Sequence, residues 1–309
     1  MIEVKNLTKY YGTHLALDNL SFTINEDEVL GFLGPNGAGK STTMKIITCF
    51  LSPTEGTVMI DGLDVFENSL EARKLIGYLP EHPPLYLDMT VKDYLRFVAA
   101  IKGVDTRKVK GKVDTVVEKC GLTKYYNSYC KALSKGYRQR VGIAQAMVHE
   151  PKYLILDEPT IGLDPIQIVE IRNLIKSFGK EHTVILSTHI LPEVDMTCER
   201  VIIISDGKVV AEDTTSDLRS NIHQNKEVAL SYRDGDTSLL AQLQNIDGVT
   251  SVQPIPELNG ITSARLTVRP GCDVRPAIAK TIVEANAELL EMRYVAMTLE
   301  EIFVKVTMK

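Results

Sequence analysis

Up to about Asp213 the chain alternates short apolar runs with longer stretches of helical spacing. The runs Glu28 to Leu33, Tyr153 to Leu156, Thr183 to Ser187 and Arg200 to Ser205 are rich in Val, Ile and Leu and apolar on both faces. That pattern predicts strands of a mainly parallel sheet covered by helices on both sides, hence an α/β domain. Met1 to Leu7 alternates apolar and polar residues and reads as a first strand. Between Asp88 and Leu133 the texture changes: Val91 to Ala100 and Lys112 to Glu118 carry helical spacing with no strand-like run between them. A helical insertion is expected there, over about 88–133.

Around Thr214 to Asn225 the sequence turns polar and loses periodicity, which marks a linker. Beyond it Lys226 to Tyr232 reads as a strand, Ser238 to Gln244 as a helix and Thr250 to Pro254 as a strand. Ile261 to Val268, entered through Asn259-Gly260, pairs with that strand as a hairpin; Val274 to Ala285 reads as a helix and Glu288 to Tyr294 as a strand. This β-α-β-β-α-β order is ferredoxin-like, and a final helix is expected over Thr298 to Val306. The expected organisation is an α/β domain over 1–220 and a small α+β domain over 226–309, with no internal repeat.

Composition narrows the classes of function. A chain of 309 residues with 44% hydrophobic and 24% charged residues is a folded protein long enough for two domains. A net charge of -5 without a basic block argues against nucleic acid as a partner. No apolar run approaches the roughly 18 to 20 residues of a membrane-spanning helix, and the N-terminus lacks the apolar core of a secretory signal, so a cytoplasmic chain is expected. The cysteines Cys49, Cys120, Cys130, Cys198 and Cys272 are odd in number, scattered and never spaced as CxxC, so reduced, mostly buried thiols are expected.

The strongest chemical signal is Gly34-Pro35-Asn36-Gly37-Ala38-Gly39-Lys40-Ser41-Thr42, a match to GxxxxGK[ST] placed after a predicted strand and before a helix. Glycines let the backbone curl so that successive N–H groups aim at phosphate oxygens, and the following helix adds its positive end. Lys40 is expected to hold the β and γ phosphates, and Ser41 to offer its hydroxyl to Mg²⁺, a hard ion that prefers oxygen. Tyr153 to Pro159 is an apolar strand ending in Asp157-Glu158. Asp157 is then the second Mg²⁺ residue, direct or through water, and Glu158 is placed to polarise a water that attacks the γ-phosphate.

These motifs, with Leu133-Ser134-Lys135-Gly136-Tyr137-Arg138-Gln139-Arg140 between them, resemble the ATP-binding subunit of an ABC transporter over residues 1 to about 220. The resemblance implies a P-loop ATPase core. It implies that Tyr11, in Lys9-Tyr10-Tyr11-Gly12, stacks on adenine, that Ile161-Gly162-Leu163-Asp164 is the D-loop, and that His189, in Ser187-Thr188-His189, is the switch histidine. It further implies a dimer of two copies sandwiching two ATP molecules, with Ser134 and Gly136 of one copy facing nucleotide on the other. From the residues alone, the helix starting near Gly136 could bind a γ-phosphate in cis or in trans. The expected partner is a separate transmembrane permease, with the chain peripheral on the inner face of the cell membrane.

Two motifs depart from the family pattern: Glu81, in Gly77-Tyr78-Leu79-Pro80-Glu81, stands where Gln is usual, and Ser134-Lys135-Gly136-Tyr137 where Ser-Gly-Gly-Gln is common. These forms, with the C-terminal Thr298 to Phe303, resemble a bacterial exporter-like branch that includes subunits linked to gliding motility. Glu81 is a candidate metal residue, direct or through water. Two alternatives to transport are a soluble nucleotide-dependent factor and a low-turnover ATP-binding module. One cassette with a short insertion argues against the first, and Glu158 together with His189 against the second. The C-terminal domain is expected to be dispensable for hydrolysis, because every matched motif lies before residue 190; a regulatory or dimer-stabilising role and a passive cap both remain open for it.

Overall fold

The computed structural model describes residues 1–215, 226–233, 239–258, 261–269 and 272–295. The chain divides into two compact units, Met1–Thr215 and Ser216–Lys309.

In the first unit β1 (Ile2–Tyr11) and β2 (His14–Ile24) form an antiparallel hairpin. β3 (Val29–Leu33) leads through a loop into α1 (Lys40–Ile47), and β4 (Glu55–Ile60) and β5 (Leu63–Asp64) return to the hairpin. The result is a four-stranded antiparallel sheet in the order β2-β1-β4-β5. α2 (Ser69–Leu75), β6 (Ile76–Leu79), α3 (Val91–Ile101), α4 (Thr106–Lys119) and α5 (Lys135–Met147) follow. The unit is completed by β7 (Tyr153–Asp157), α6 (Pro165–Phe178), β8 (Thr183–Thr188), α7 (Leu191–Thr197), β9 (Arg200–Ser205) and β10 (Lys208–Thr214). The second sheet runs β10-β9-β3-β8-β7-β6 and is parallel except for β10 at its edge.

β3, β7 and β8 are buried at every residue, as apolar-on-both-faces runs must be when layers cover both sides. One core cluster joins Ile2, Leu7 and Ile60 of the antiparallel sheet to Phe32, Ile155, Ile185 and Ile202 of the parallel one. The pattern reading foresaw the parallel sheet and only the first strand of the antiparallel one. The β1–β2 pairing is interrupted by register shifts between Val4 and Leu7, Leu7 and Lys9, and Lys9 and Tyr10, so a strict period of two does not run through it. The insertion is helical: Thr90 caps α3 by accepting from the Asp93 amide, and Asp105 caps α4 by accepting from that of Arg107.

The second unit contains β11 (Lys226–Arg233), α8 (Leu239–Gln244), β12 (Val249–Leu258), β13 (Ile261–Val268), α9 (Arg275–Glu284) and β14 (Glu288–Val295). Its sheet has the order β12-β13-β11-β14 with every pair antiparallel, the ferredoxin-like arrangement. β12 continues four residues beyond the expected stop at Pro254, which pairs with Ala264; β12 is an edge strand, where a missing N–H costs no ladder bond. Asn259-Gly260 and the helix expected over Thr298 to Val306 lie outside the described residues.

Candidate active site at the phosphate loop

The buried strand β3 delivers the chain to a loop that folds around its own lysine. Lys40 Nζ donates to the carbonyls of Gly34 and Pro35 at 2.7 and 3.1 Å, and the Ala38 amide donates to the Pro35 carbonyl at 3.2 Å. Gly39, the residue before α1, has φ 103°, and a Cβ there would lie 2.5 Å from Leu17 Cδ2 and 2.8 Å from the Ala16 carbonyl. Only glycine fits both the turn and the packing. Asn36, Gly37, Gly39, Lys40, Ser41 and Thr42 line a cleft of about 450 Å³, whose far wall includes Tyr11, Glu81 and Glu158. Gly34, Pro35 and Ala38 shape the loop from behind.

β7 brings the acidic pair to the same place. Asp157 is 2% exposed and its Oδ1 accepts from Ser41 Oγ at 3.2 Å. Burial is the main cause that pushes its carboxyl above the ordinary range; the nearby Ser187 and Ser41 hydroxyls oppose this, and the charges of Glu158 and Glu81 add to it. Glu158 turns the chain out of the strand with φ 48°, its amide donating to the Ser187 carbonyl at 2.9 Å. Its carboxylate lies 3.6 Å from Lys40 Nζ, and His189 Nδ1 reaches both of its oxygens, at 3.0 and 2.9 Å. Lys40 is also buried, and desolvation, its largest influence, lowers its pKa against the pull of Glu158.

Tyr11 is exposed at the mouth, with Lys9 Nζ 5.5 Å from its ring centre. The hairpin pairs Tyr11 with His14, which with Ala16 and Ile161 forms wall that the motifs did not identify; cross-strand pairing was the signal that could have found His14. Ser134, Gly136 and Asp164 do not line this cleft. Gly136 and Asp164 border a second cleft of about 250 Å³, between α5 and α6. Ser134 caps α5 and Asp164 caps α6 by accepting from the Gln167 amide at 2.9 Å; at Gly136 a Cβ would lie 2.6 Å from the end of the Gln167 side chain, which would have to move aside. Among the described residues no group of three or more His, Cys, Asp and Glu could hold a metal by itself.

A family description, ABC transporter, matches residues 17–161. The chain is 35% identical over 310 aligned positions to YhcH of Bacillus subtilis, an uncharacterized ABC transporter ATP-binding protein, covering 99% of this chain and 96% of that one. It belongs to the ABC transporter ATP-binding family. It is 34% identical to the bacitracin transport ATP-binding protein BcrA of Bacillus licheniformis, over 99% of this chain and 96% of BcrA. Among solved structures, a dimeric ATP-binding cassette in a post-hydrolysis state with ADP and Pi matches with a TM-score of 0.64 and 29% identity, covering 70% of this chain and 99% of that one. The chain is accordingly an ATPase, a subunit that couples ATP hydrolysis to transport. ABC ATP-binding subunits dimerise and work with membrane permeases. Among the described residues of this member of the family, no helix is long and apolar enough to cross a membrane.

Proposed function

We propose that this ABC subunit hydrolyses ATP at the phosphate-loop cleft with Glu158 as the base, and that it works as a pair of identical copies driving export through a separate permease. The observation that carries the reading is the seat of Glu158, between Lys40 on one side and His189 on the other, directly above the loop. The loop amides and the start of α1 take the β and γ phosphates, and Lys40 exchanges its carbonyl partners for phosphate oxygens. As γ-phosphate oxygens draw Lys40 away from Glu158, that carboxylate is left to accept the proton of an attacking water. His189, donating from Nδ1, holds the carboxylate in place. Tyr11 offers its exposed ring to the adenine.

Ser41, Asp157 and Glu81 offer oxygen donors of the kind Mg²⁺ takes, and the buried negative charge at Asp157 favours a cation there. When bound, Mg²⁺ offsets charge on the transferring phosphoryl group. Gly136 and Asp164 face a cleft of their own, and Ser134 caps the helix that carries Gly136, which supports the use of all three on the nucleotide of the second copy. The transport named for BcrA supports an export role on the inner face of the cell membrane. Replacement Glu158→Gln tests the core of this reading: turnover should fall by about 10³-fold while ATP still binds and a stable pair accumulates. Size-exclusion chromatography with Mg²⁺ and ATP, beside a phosphate-release assay, checks it, and wild-type turnover would remove Glu158 from the role.

A further inference from the structure

Behind the cleft lies a carboxylate with no part in the chemistry described above. Glu193, on α7 and four residues beyond His189, is 3% exposed. Its Oε2 accepts from Thr188 Oγ1 at 3.2 Å, and the same Thr188 hydroxyl accepts from the Ile190 amide at 3.1 Å. One hydroxyl therefore ties the residues on both sides of His189, and Glu193 decides which way it points: its proton goes to the carboxylate, leaving a lone pair for the amide. Thr188 is fully buried, so water has no ready access to replace either bond. The other Glu193 oxygen is buried on the side of Thr160, which starts the turn running to Asp164; neither Glu193 Oε1 nor Thr160 Oγ1 completes a hydrogen bond.

A carboxylate kept in such a place is costly when an apolar side chain could pack there, and its neighbours Leu191 and Val194 already do. Burial pushes the Glu193 carboxyl above its ordinary value, opposed by the nearby Thr160 and Thr188 hydroxyls. The titratable groups that act on it or feel it are Glu158, His189 and Cys198.

We infer that Glu193 is a positioning residue for hydrolysis: through the Thr188 hydroxyl it fixes the backbone that carries His189, and so keeps the imidazole on Glu158. This rests on the role proposed for Glu158 and His189. The decisive variant is Thr188→Val, which keeps shape and removes only the hydroxyl. In the full chain it should lower kcat by about tenfold or more, as a small misplacement of a catalytic group does, with ATP affinity changed less than about twofold.

Glu193→Ala should show the same split. Glu193→Gln, which keeps a carbonyl oxygen for Thr188, should regain most of the lost turnover. The double variant Glu193→Ala with Thr188→Val should be no slower than the slower single one, because both cut one chain of contacts. Wild-type kcat in Thr188→Val, losses that multiply in the double variant, or ATP affinity falling in step with kcat would overturn the inference. His189→Ala measured alongside separates the two levels. If it keeps full turnover, the reading of the site fails and the inference with it. If it loses turnover while Thr188→Val does not, only the inference fails.

Discussion

Around the phosphate loop the first unit buries Lys40, Asp157, Glu158 and Glu193, each 6% exposed or less, whereas the core of the C-terminal unit is Val228, Leu230, Leu239, Leu266, Ile278 and their apolar neighbours. Among the described residues, every buried polar or charged one precedes Asp206. Burying charge costs stability unless each group is paired, so the first unit holds its charges in mutual contact: Lys40 with Glu158, Glu158 with His189, Asp157 with Ser41. The second unit carries no such load, and its core serves packing alone. Substitutions should therefore separate into those that cost function and those that cost fold, according to region.

The largest effect is expected from Lys40→Ala. Removing the cation strips the phosphates of their charged partner and leaves Glu158 without its lysine, a loss of about 3 to 5 kcal/mol for one half of a buried pair. ATP affinity, read by titration calorimetry, should fall by about two to three orders of magnitude. The fold should survive, because the apolar cluster from Ile2 to Ile204 does not include Lys40. Unchanged ATP affinity would contradict the assignment of the loop.

The converse change is Leu266→Ala. Leu266 is fully buried on β13 at the centre of the C-terminal core, so truncation should cost about 3 kcal/mol through lost burial and the cavity left behind. ATP hydrolysis should stay within about twofold of wild type, since the proposed site residues all lie in the first unit. Urea unfolding followed beside phosphate release checks both halves. A collapse of hydrolysis in a chain still folded would show that the second unit takes part in the chemistry.

Acid should also tell the regions apart. His149 in the first unit is half-buried against the Ile76 carbonyl, which its Nε2 meets at 3.0 Å; loss of water contact, helped by Lys102 and Lys112, lowers its pKa to about 4 from the ordinary 6.5. The unfolded chain thus takes up this proton first. Stability is unaffected above pH 6.5 and is lost as pH falls from there toward about 4, by on the order of 2 kcal/mol. In the second unit, Asp273 is held below its usual range chiefly by the Arg275 guanidinium, so its contribution is present above the ordinary 3.8 and lost only below it. Between pH 6.5 and 4.5 the first unit should weaken while the second holds. Hydrogen exchange resolved by region measures this, and His149→Gln should flatten the slope in the first unit alone.

Much of this contrast was legible in the chain itself. Tyr153 to Leu156 had to be a buried strand because no face of it is polar, and Asp157-Glu158 at its end had to be costly to bury. The phosphate loop declared itself through its glycine spacing, and Gly37 and Gly39 take the positive φ, 83° and 103°, that side chains rarely adopt. What stayed hidden depends on distant pairing. The hairpin that puts His14 opposite Tyr11 is disguised by bulges, and the separation of Ser134 and Asp164 from the loop is set by how α5 and α6 pack. Nothing local in the sequence marks Glu193, because only the fold brings Thr188 and Thr160 over it.

The smallest effect, and the finest test of the charge balance in the cleft, concerns Glu81. It lines the cleft with Lys40 and Ser41, its charge acts on both Lys40 and Asp157, and His82 lies 3.7 Å away on its other side. A carboxylate here binds a hard divalent ion more firmly than an amide would, yet it adds negative charge where the γ-phosphate must approach. Metal and nucleotide should then enter in a coupled way, each relieving the repulsion the other meets. Glu81→Gln keeps the shape and removes the charge. It should bind ATP without Mg²⁺ better than wild type, by a few-fold at this partly open position, and with Mg²⁺ about as well or slightly worse. The quantity to measure is the ratio of ATP affinities with and without Mg²⁺ in the two proteins: a smaller ratio in Glu81→Gln supports the coupling, and an identical ratio means the carboxylate acts too far from the phosphates to matter.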